Sequence, residues 1–277
     1  MENNQTLGYH PGETILHHLN ATAKLIFLLL VSIACMTTYD TRFLIVISIL
    51  SLAMFKVANV KWYQVSFVIK FIVFFSILNL LAVYIFQPEY GVQLYGTRHV
   101  IFAGWGRFTL TQEQLFYLFN LVLKYFCTIP VTLIFLFTTN PSSFASSLNK
   151  IGVSYKVSYA VALALRYIPD IQEDFQNISQ AQQARGFEMS KKGKLMQRAK
   201  GTAQIVLPLI FSSLDRIEII STAMELRRFG QKKKRTWYVD QPFQMKDYLL
   251  IALSIILVLI TIALFHVNGG RFYNPFK

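Results

Sequence analysis

Long apolar runs constrain this chain more than any other feature of its sequence. Crossing about 30 Å of hydrocarbon takes about 20 helical residues. Five runs come near that length, at about 24–38, 43–57, 64–86, 113–138 and 248–267. Because a helix satisfies its backbone hydrogen bonds within one segment, it is the structure that such runs adopt in lipid. The sequence therefore predicts an all-α polytopic membrane protein with about five transmembrane helices.

The charge of the chain is strongly positive and concentrated in one region. Of the 277 residues 54% are hydrophobic, and the formal net charge is +13. Residues 140–246 hold 17 Lys and Arg against 8 Asp and Glu. In a membrane protein such an excess is typical of cytoplasmic segments next to lipid headgroups, and it does not indicate nucleic-acid binding.

This asymmetry predicts the topology. We expect a membrane domain at 1–138 with four spans, a cytoplasmic helical domain at 139–246, and a final span with an outside tail at 247–277. The N-terminus is then cytoplasmic and the C-terminus lies outside. Lys56 and Lys61, in the loop after the second span, fall on the cytoplasmic side, as the positive-inside rule prefers.

The basic region is predicted to form several helices. Asn140 and Pro141 begin a short helix that runs to about Lys150, and Ser154 opens a second that Pro169 ends. Asp170 starts a third helix, and a fourth covers about 202–229. Along the fourth helix apolar residues recur at three- and four-residue steps, which predicts a buried face of Leu207, Ile210, Leu214, Ile217, Ile220 and Met224.

Two arginine motifs close the long helices of this region. The first arginine motif is Ala184-Arg185-Gly186 and the second is Leu226-Arg227-Arg228. Guanidinium offers a rigid fork of five donors that pairs bidentately with carboxylates and stays charged. The alternative is structural: an arginine at a helix C-terminus also complements the helix dipole, which is worth about 0.3–1 kcal/mol.

Several polar and sulfur side chains lie in or beside the predicted spans. We expect Lys24 to extend to the headgroups and Lys124 to face a protein interior. Cys35 and Cys127 lie within apolar runs, which predicts buried small hydrophobes and no disulfide. In the polar break at 87–112, segments 91–95 and 108–110 could form a hairpin, with Thr109 and Thr111 pointing outward.

Motifs for nucleotide, dinucleotide and zinc chemistry are absent from the sequence. For His10, His17 and His18 a structural or surface role is the expectation, and not a metal site. We therefore expect no catalytic residue, no metal site and no cofactor. The chain is better suited to transmitting force or assembling partners than to catalysis.

The residues resemble a known family, the transmembrane coupling component of energy-coupling factor transporters, which includes the cobalt-transport permeases. The likeness covers nearly the whole chain. It rests on His18 with Lys24-Leu25, Thr139-Asn140-Pro141, Arg166-Tyr167-Ile168-Pro169, Ile178 with Ala181-Gln182 and Ala184-Arg185-Gly186, and Ala223-Met224-Glu225-Leu226-Arg227-Arg228-Phe229. Only the arginine of the second arginine motif matches the family's Ala-Arg-Gly.

The resemblance implies a role for these residues. In that family two coupling helices end in Ala-Arg-Gly motifs that dock on two cytoplasmic ATPase subunits, and ATP binds those subunits. Ala184, Arg185 and Gly186 would make one contact, and Arg227 or Arg228 the other. The candidate residues for holding a small integral substrate-binding subunit are Phe175, Ile178, Leu214 and Ile217. The cargo would be a vitamin or a metal ion, and the location a prokaryotic cell membrane.

The sequence leaves two alternative functions to consider. The first is an integral membrane enzyme that acts on lipid-linked substrates, whose phosphates the basic region would bind. The second is a secondary transporter, which should show internal repeats and broken helices in matching halves. The sequence shows neither feature.

Overall fold

The computed structural model describes residues 12–60, 62–102, 109–186, 195–231, 236–239 and 241–276. The chain divides into two compact units. One, which we call the membrane unit, is Gly8–Asn140 with Gln241–Lys277, and the other, the helical unit, contains Pro141–Asp240. Within the described ranges the secondary structure is helical apart from one two-stranded antiparallel pairing and an isolated bridge.

Long apolar helices dominate the membrane unit. Its elements are α1 (Ile15–His18), α2 (Ala21–Thr37), α3 (Thr41–Val57), α4 (Trp62–Phe86), α5 (Tyr90–Tyr95), β1 (Val100–Phe102), β2 (Leu110–Thr111), α6 (Gln112–Thr138) and α10 (Met245–Asn268). Among the described residues, three segments are long and apolar enough to cross a membrane, Val65–Phe86, Gln112–Thr138 and Met245–Asn268, and α2 is a shorter apolar helix. The protein is therefore an all-α polytopic membrane protein, as the sequence predicts.

The core of the membrane unit forms where α2, α3, α6 and α10 pack together. Its buried side chains include Val31, Leu44, Cys127 and Leu257. Cys35 and Cys127 are free and fully buried, which confirms their assignment as core residues. Helix α4 stays largely outside this core and leaves large apolar side chains such as Phe67 exposed, which is typical of a lipid-facing span.

Two buried lysines correct one prediction and confirm another. Lys24 does not extend to the headgroups, because it is only 6% exposed and its Nζ donates to Thr138 O at 2.8 Å. Lys124 faces the interior as predicted, and its Nζ donates to Met36 O at 2.9 Å. The carbonyls at a helix C-terminus carry partial negative charge, so each lysine complements the end of the other's helix.

The connection before α6 also differs from the prediction. Residues 90–95 form helix α5, and the strand pair is Val100–Phe102 with Leu110–Thr111. Thr109 and Thr111 are both buried. The Thr111 hydroxyl caps α6 by accepting a hydrogen bond from Gln114 N–H at 3.3 Å. The capping requirement of the following helix decides the direction of this side chain. Phe108 and His10 lie outside the described residues.

The helical unit consists of three helices in its described part, α7 (Pro141–Lys150), α8 (Tyr155–Ala184) and α9 (Leu195–Leu226). Pro141 begins α7 and Ser154 caps α8, as predicted. The predicted break at Pro169 is wrong, because α8 is one helix of 30 residues that contains this proline. Asp170 does not start a new helix, and it lies 3.7 Å from Arg216 of α9.

Candidate functional site

The first arginine motif forms the C-terminal end of α8. Arg185 is the C-cap residue, and its N–H donates to Ala181 O at 3.3 Å and Gln182 O at 3.1 Å. Gly186 follows in the left-handed region with φ of 84°, and its N–H donates to Gln183 O at 2.9 Å. Ala184, Arg185 and Gly186 are all exposed. The helix therefore ends by presenting an arginine beside small neighbours.

The second arginine motif ends α9 with the same backbone geometry. Arg228 takes φ of 55°. The N–H groups of Arg227, Arg228 and Phe229 donate to the carbonyls of Ala223, Glu225 and Met224 at 3.2, 2.8 and 2.9 Å. This pattern is a Schellman motif, in which the residue after the C-cap is left-handed. Arg227 therefore corresponds to Arg185, and Arg228 to Gly186.

The amino-acid sequence also carries a signal for this correspondence. The segment 181–187 reads Ala-Gln-Gln-Ala-Arg-Gly-Phe, and 223–229 reads Ala-Met-Glu-Leu-Arg-Arg-Phe. Alanine, arginine and phenylalanine recur at identical spacing in both segments. Aligning the two on these residues places Arg227 with Arg185, in agreement with the backbone.

An aromatic cluster anchors the second arginine motif. The ring of Phe229 lies 4.7 Å from that of Tyr159 and 5.7 Å from that of Tyr155, both at the start of α8. Trp237 packs 5.4 Å from Tyr155, and its indole N–H donates to Asn149 Oδ1 at 3.2 Å. The end of α9 is thus held by ring packing to the opposite end of α8.

An ion pair joins the two long helices. The Arg216 guanidinium on α9 donates to Asp174 Oδ2 on α8 at 2.7 Å. Beside this pair an open groove of about 370 Å³ runs between the helices, lined by Leu163, Ala164, Tyr167, Ile171, Ser213, Arg216, Ile217, Ile220, Ser221 and Met224. Its wall is mostly apolar with one guanidinium, so it suits an apolar segment of a partner better than a polar metabolite.

Of the apolar face predicted to be buried on α9, Ile220 and Met224 are partly buried and line the groove, whereas the other four residues are exposed in this chain. The exposed fractions are 53, 47, 53 and 60% for Leu207, Ile210, Leu214 and Ile217. Periodicity identifies an apolar face but does not say whether the same chain covers it. We call these four residues the α9 stripe.

The four residues predicted to hold a substrate-binding subunit do not form one site within the described groove. Leu214 and Ile217 belong to the α9 stripe, and Ile217 also lines the groove. Phe175 is 39% exposed and Ile178 is half-buried, both on α8. Among the described residues, no group of three or more His, Cys, Asp or Glu side chains could hold a metal ion.

The long apolar helices define the class of the protein, a polytopic membrane protein. A family model described as "Cobalt transport protein" matches residues 12–238, and the chain belongs to that family.

Several curated relatives are similar over nearly their whole length. Each is called "Energy-coupling factor transporter transmembrane protein EcfT". The protein from Brevibacillus brevis is 27% identical over 262 residues, which cover 91% of this chain and 94% of the relative. Those from Lactococcus lactis and Staphylococcus aureus are 24% and 25% identical, covering 92% and 95% of this chain and 95% and 98% of theirs.

Proposed function

We propose that this chain is the energy-coupling transmembrane component of an importer of the energy-coupling factor type. Two cytoplasmic ATPase subunits bind its arginine motifs, and a small integral membrane subunit binds the substrate, a vitamin or a metal ion. The chain itself binds no nucleotide or cofactor and catalyses no reaction. It relays the motion of the ATPases to the substrate-binding subunit. The similarity to EcfT proteins over most of the chain supports this assignment.

The observation that carries the proposal is the equivalence of the two arginine motifs. Each puts an exposed arginine at the C-cap of a long helix, with the next residue left-handed. Two matching helix ends suit two homologous ATPase subunits. Because Arg227 holds the capping position of Arg185, we assign the second contact to Arg227 and not to Arg228. Truncating one partner of a desolvated charge pair commonly costs about 2–5 kcal/mol.

The exposed α9 stripe supports the proposal that this chain also binds a substrate-binding subunit. Exposed apolar side chains on one helix face mark a surface that lipid or a protein covers. We assign Leu214 and Ile217 of this stripe, together with Phe175 and Ile178 of α8, to the substrate-binding subunit. The proposed arrangement places residues 139–246 and the N-terminus in the cytoplasm and the C-terminus outside, in a prokaryotic cell membrane.

The test is co-purification with the ATPase and substrate-binding subunits. We expect Arg185→Glu and Arg227→Glu each to weaken ATPase retention and the double variant to abolish it. Arg228→Glu should keep most of the binding. Lys246→Glu is the control, because Lys246 is an exposed cation outside both motifs. Full ATPase retention by the double variant would refute the proposed contact.

A second comparison separates the two partners. Leu214→Ser with Ile217→Ser should release the substrate-binding subunit and leave the ATPases attached. Loss of both partners in this variant would mean that the α9 stripe is needed for the fold of the helical unit. Catalytic turnover of a lipid-linked substrate by the purified chain alone would favour an enzyme instead.

A further inference from the structure

The β1 strand carries an apolar surface that the membrane unit does not bury. Val100, Ile101 and Phe102 are 49, 53 and 68% exposed. Successive side chains of a strand point to opposite faces, so the strand is apolar and exposed on both of them. Bulky apolar residues exposed in a contiguous group mark a protein or membrane contact.

The pairing of the strands places this surface beside the start of a membrane span. Val100 pairs with Thr111, and α6 begins at the next residue, Gln112. Paired strands lie about 4.8 Å apart. Val100 is therefore about one strand spacing from the residue that precedes a membrane-spanning helix. The apolar strand therefore lies near the bilayer boundary through its pairing with β2, which is continuous with α6.

Polar contacts join His99, the residue before β1, to the start of α6. The His99 N–H donates to both carboxylate oxygens of Glu113, at 3.0 and 3.1 Å, and His99 Nδ1 lies 2.7 Å from Glu113 Oε1. The Gln112 N–H donates to His99 O at 3.0 Å. The Glu113 side chain is fully buried. Strand β1 is thus held in one position relative to the first turn of α6.

We propose that Val100, Ile101 and Phe102 insert into the lipid interface beside α6 and act as a shallow anchor. Lipid is the occupant because β1 pairs with β2, which runs directly into the span α6, and because β1 bears apolar side chains on both faces. Aromatic and branched side chains partition favourably to this depth of a bilayer. The hydrogen bonds of His99 couple the depth of β1 in the bilayer to that of the first turn of α6. The anchor therefore helps to fix the position of α6 along the membrane normal.

Site-specific fluorescence in nanodiscs tests this proposal. A single cysteine in place of Phe102 is labelled with an environment-sensitive dye. The parent chain, treated with the same dye, checks that buried Cys35 and Cys127 do not react. The nanodiscs contain phosphatidylcholine with or without a nitroxide on an upper acyl carbon. Gln93→Cys is the matched control, because Gln93 is an exposed polar residue in the same connection.

We expect the Phe102→Cys probe to emit at shorter wavelength, to lose most of its emission to nitroxide lipid, and to resist quenching by iodide. The Gln93→Cys probe should show the reverse. A Phe102→Cys probe that iodide quenches and lipid does not would place the strand in water and overturn the anchor. A probe shielded from both quenchers would show protein cover and overturn it as well. Neither result depends on whether ATPases bind the arginine motifs.

Discussion

Gly186 and Arg228 adopt the same left-handed backbone conformation at the ends of α8 and α9, with φ of 84° and 55°. Glycine reaches this region without steric cost, whereas a residue with a Cβ is strained there by about 1–2 kcal/mol. The second arginine motif therefore carries a strain that the first lacks. Its departure from Ala-Arg-Gly changes the backbone energy of the helix end and leaves the capping arginine in place.

Replacing Arg228 by glycine should relieve this strain. We expect Arg228→Gly to raise the free energy of unfolding by up to about 1 kcal/mol and to leave ATPase binding intact. Thermal denaturation of the purified chain and co-purification measure the two effects. Arg227→Gly is the control, since Arg227 has no positive φ. It should give no gain in stability and should lose binding. A less stable Arg228→Gly chain would contradict the assignment.

Phe229 should position the second arginine motif through the aromatic cluster. We expect Phe229→Ala to remove ring packing with Tyr159 and Tyr155, worth about 0.5–1.5 kcal/mol per pair. ATPase binding should weaken, but Phe229→Ala should cause no further loss in a chain that already carries Arg227→Glu. Tyr238→Ala is the matched control, because Tyr238 is fully exposed next to Trp237. Independent, additive losses from Phe229→Ala and Arg227→Glu would show that Phe229 does not act through the motif.

Arg216 and Asp174 should make the two long helices move as one body. The pair is partly exposed, so we expect a coupling energy of only about 0.2–1 kcal/mol in a double-mutant cycle. In the proposed function, Arg216→Ala should lower transport more than it lowers ATPase binding. The exchange of Arg216→Asp with Asp174→Arg should restore transport in part. Equal transport by Arg216→Ala and the parent chain would exclude this linkage.

Lys24 should be important for the stability of the membrane unit. Lys24→Met keeps the length of the side chain but leaves Thr138 O without its buried donor, which costs about 1–3 kcal/mol. The midpoint of thermal unfolding in detergent should fall accordingly. Lys246→Met, at an exposed site, should melt like the parent chain. An unchanged midpoint for Lys24→Met would mean that another donor reaches Thr138.

Asp40 should make the stability of the turn between α2 and α3 depend on pH. Burial opposes ionisation of this carboxyl, but hydrogen bonds from Arg42 and Asn268 outweigh burial and hold the pKa of Asp40 below its usual value. Because the folded pKa lies below the unfolded value of about 3.9, the stabilisation is complete above that value. It is lost as pH falls through the folded pKa.

The measurement for Asp40 is unfolding between neutral and acid pH. We expect Asp40→Asn to be less stable than the parent chain at pH 7, because the amide keeps an oxygen for the helix cap but loses the charge that pairs with Arg42. This difference in the free energy of unfolding should disappear in acid. A gap that stays constant with pH would show that the charge of Asp40 contributes nothing.

Much of the membrane unit could be predicted because its signal is local. The span predicted at 113–138 is found at Gln112–Thr138, and that at 64–86 at Trp62–Phe86. A run of apolar residues has to be helical in lipid whatever its neighbours do. The arginine motifs were likewise visible, since Gly186 is a local stop signal. The division into domains and the partner contacts remain predictions.

The amino-acid sequence alone determined where the apolar helices lie and that two long helices end in arginine, because hydropathy and capping act within a few residues. Only the tertiary structure decided that Lys24 turns inward to Thr138 and that α8 runs through Pro169. It also decided that the α9 stripe stays exposed. Each of these depends on residues distant in the chain or on the path of the backbone, and short-range patterns carry no information about either.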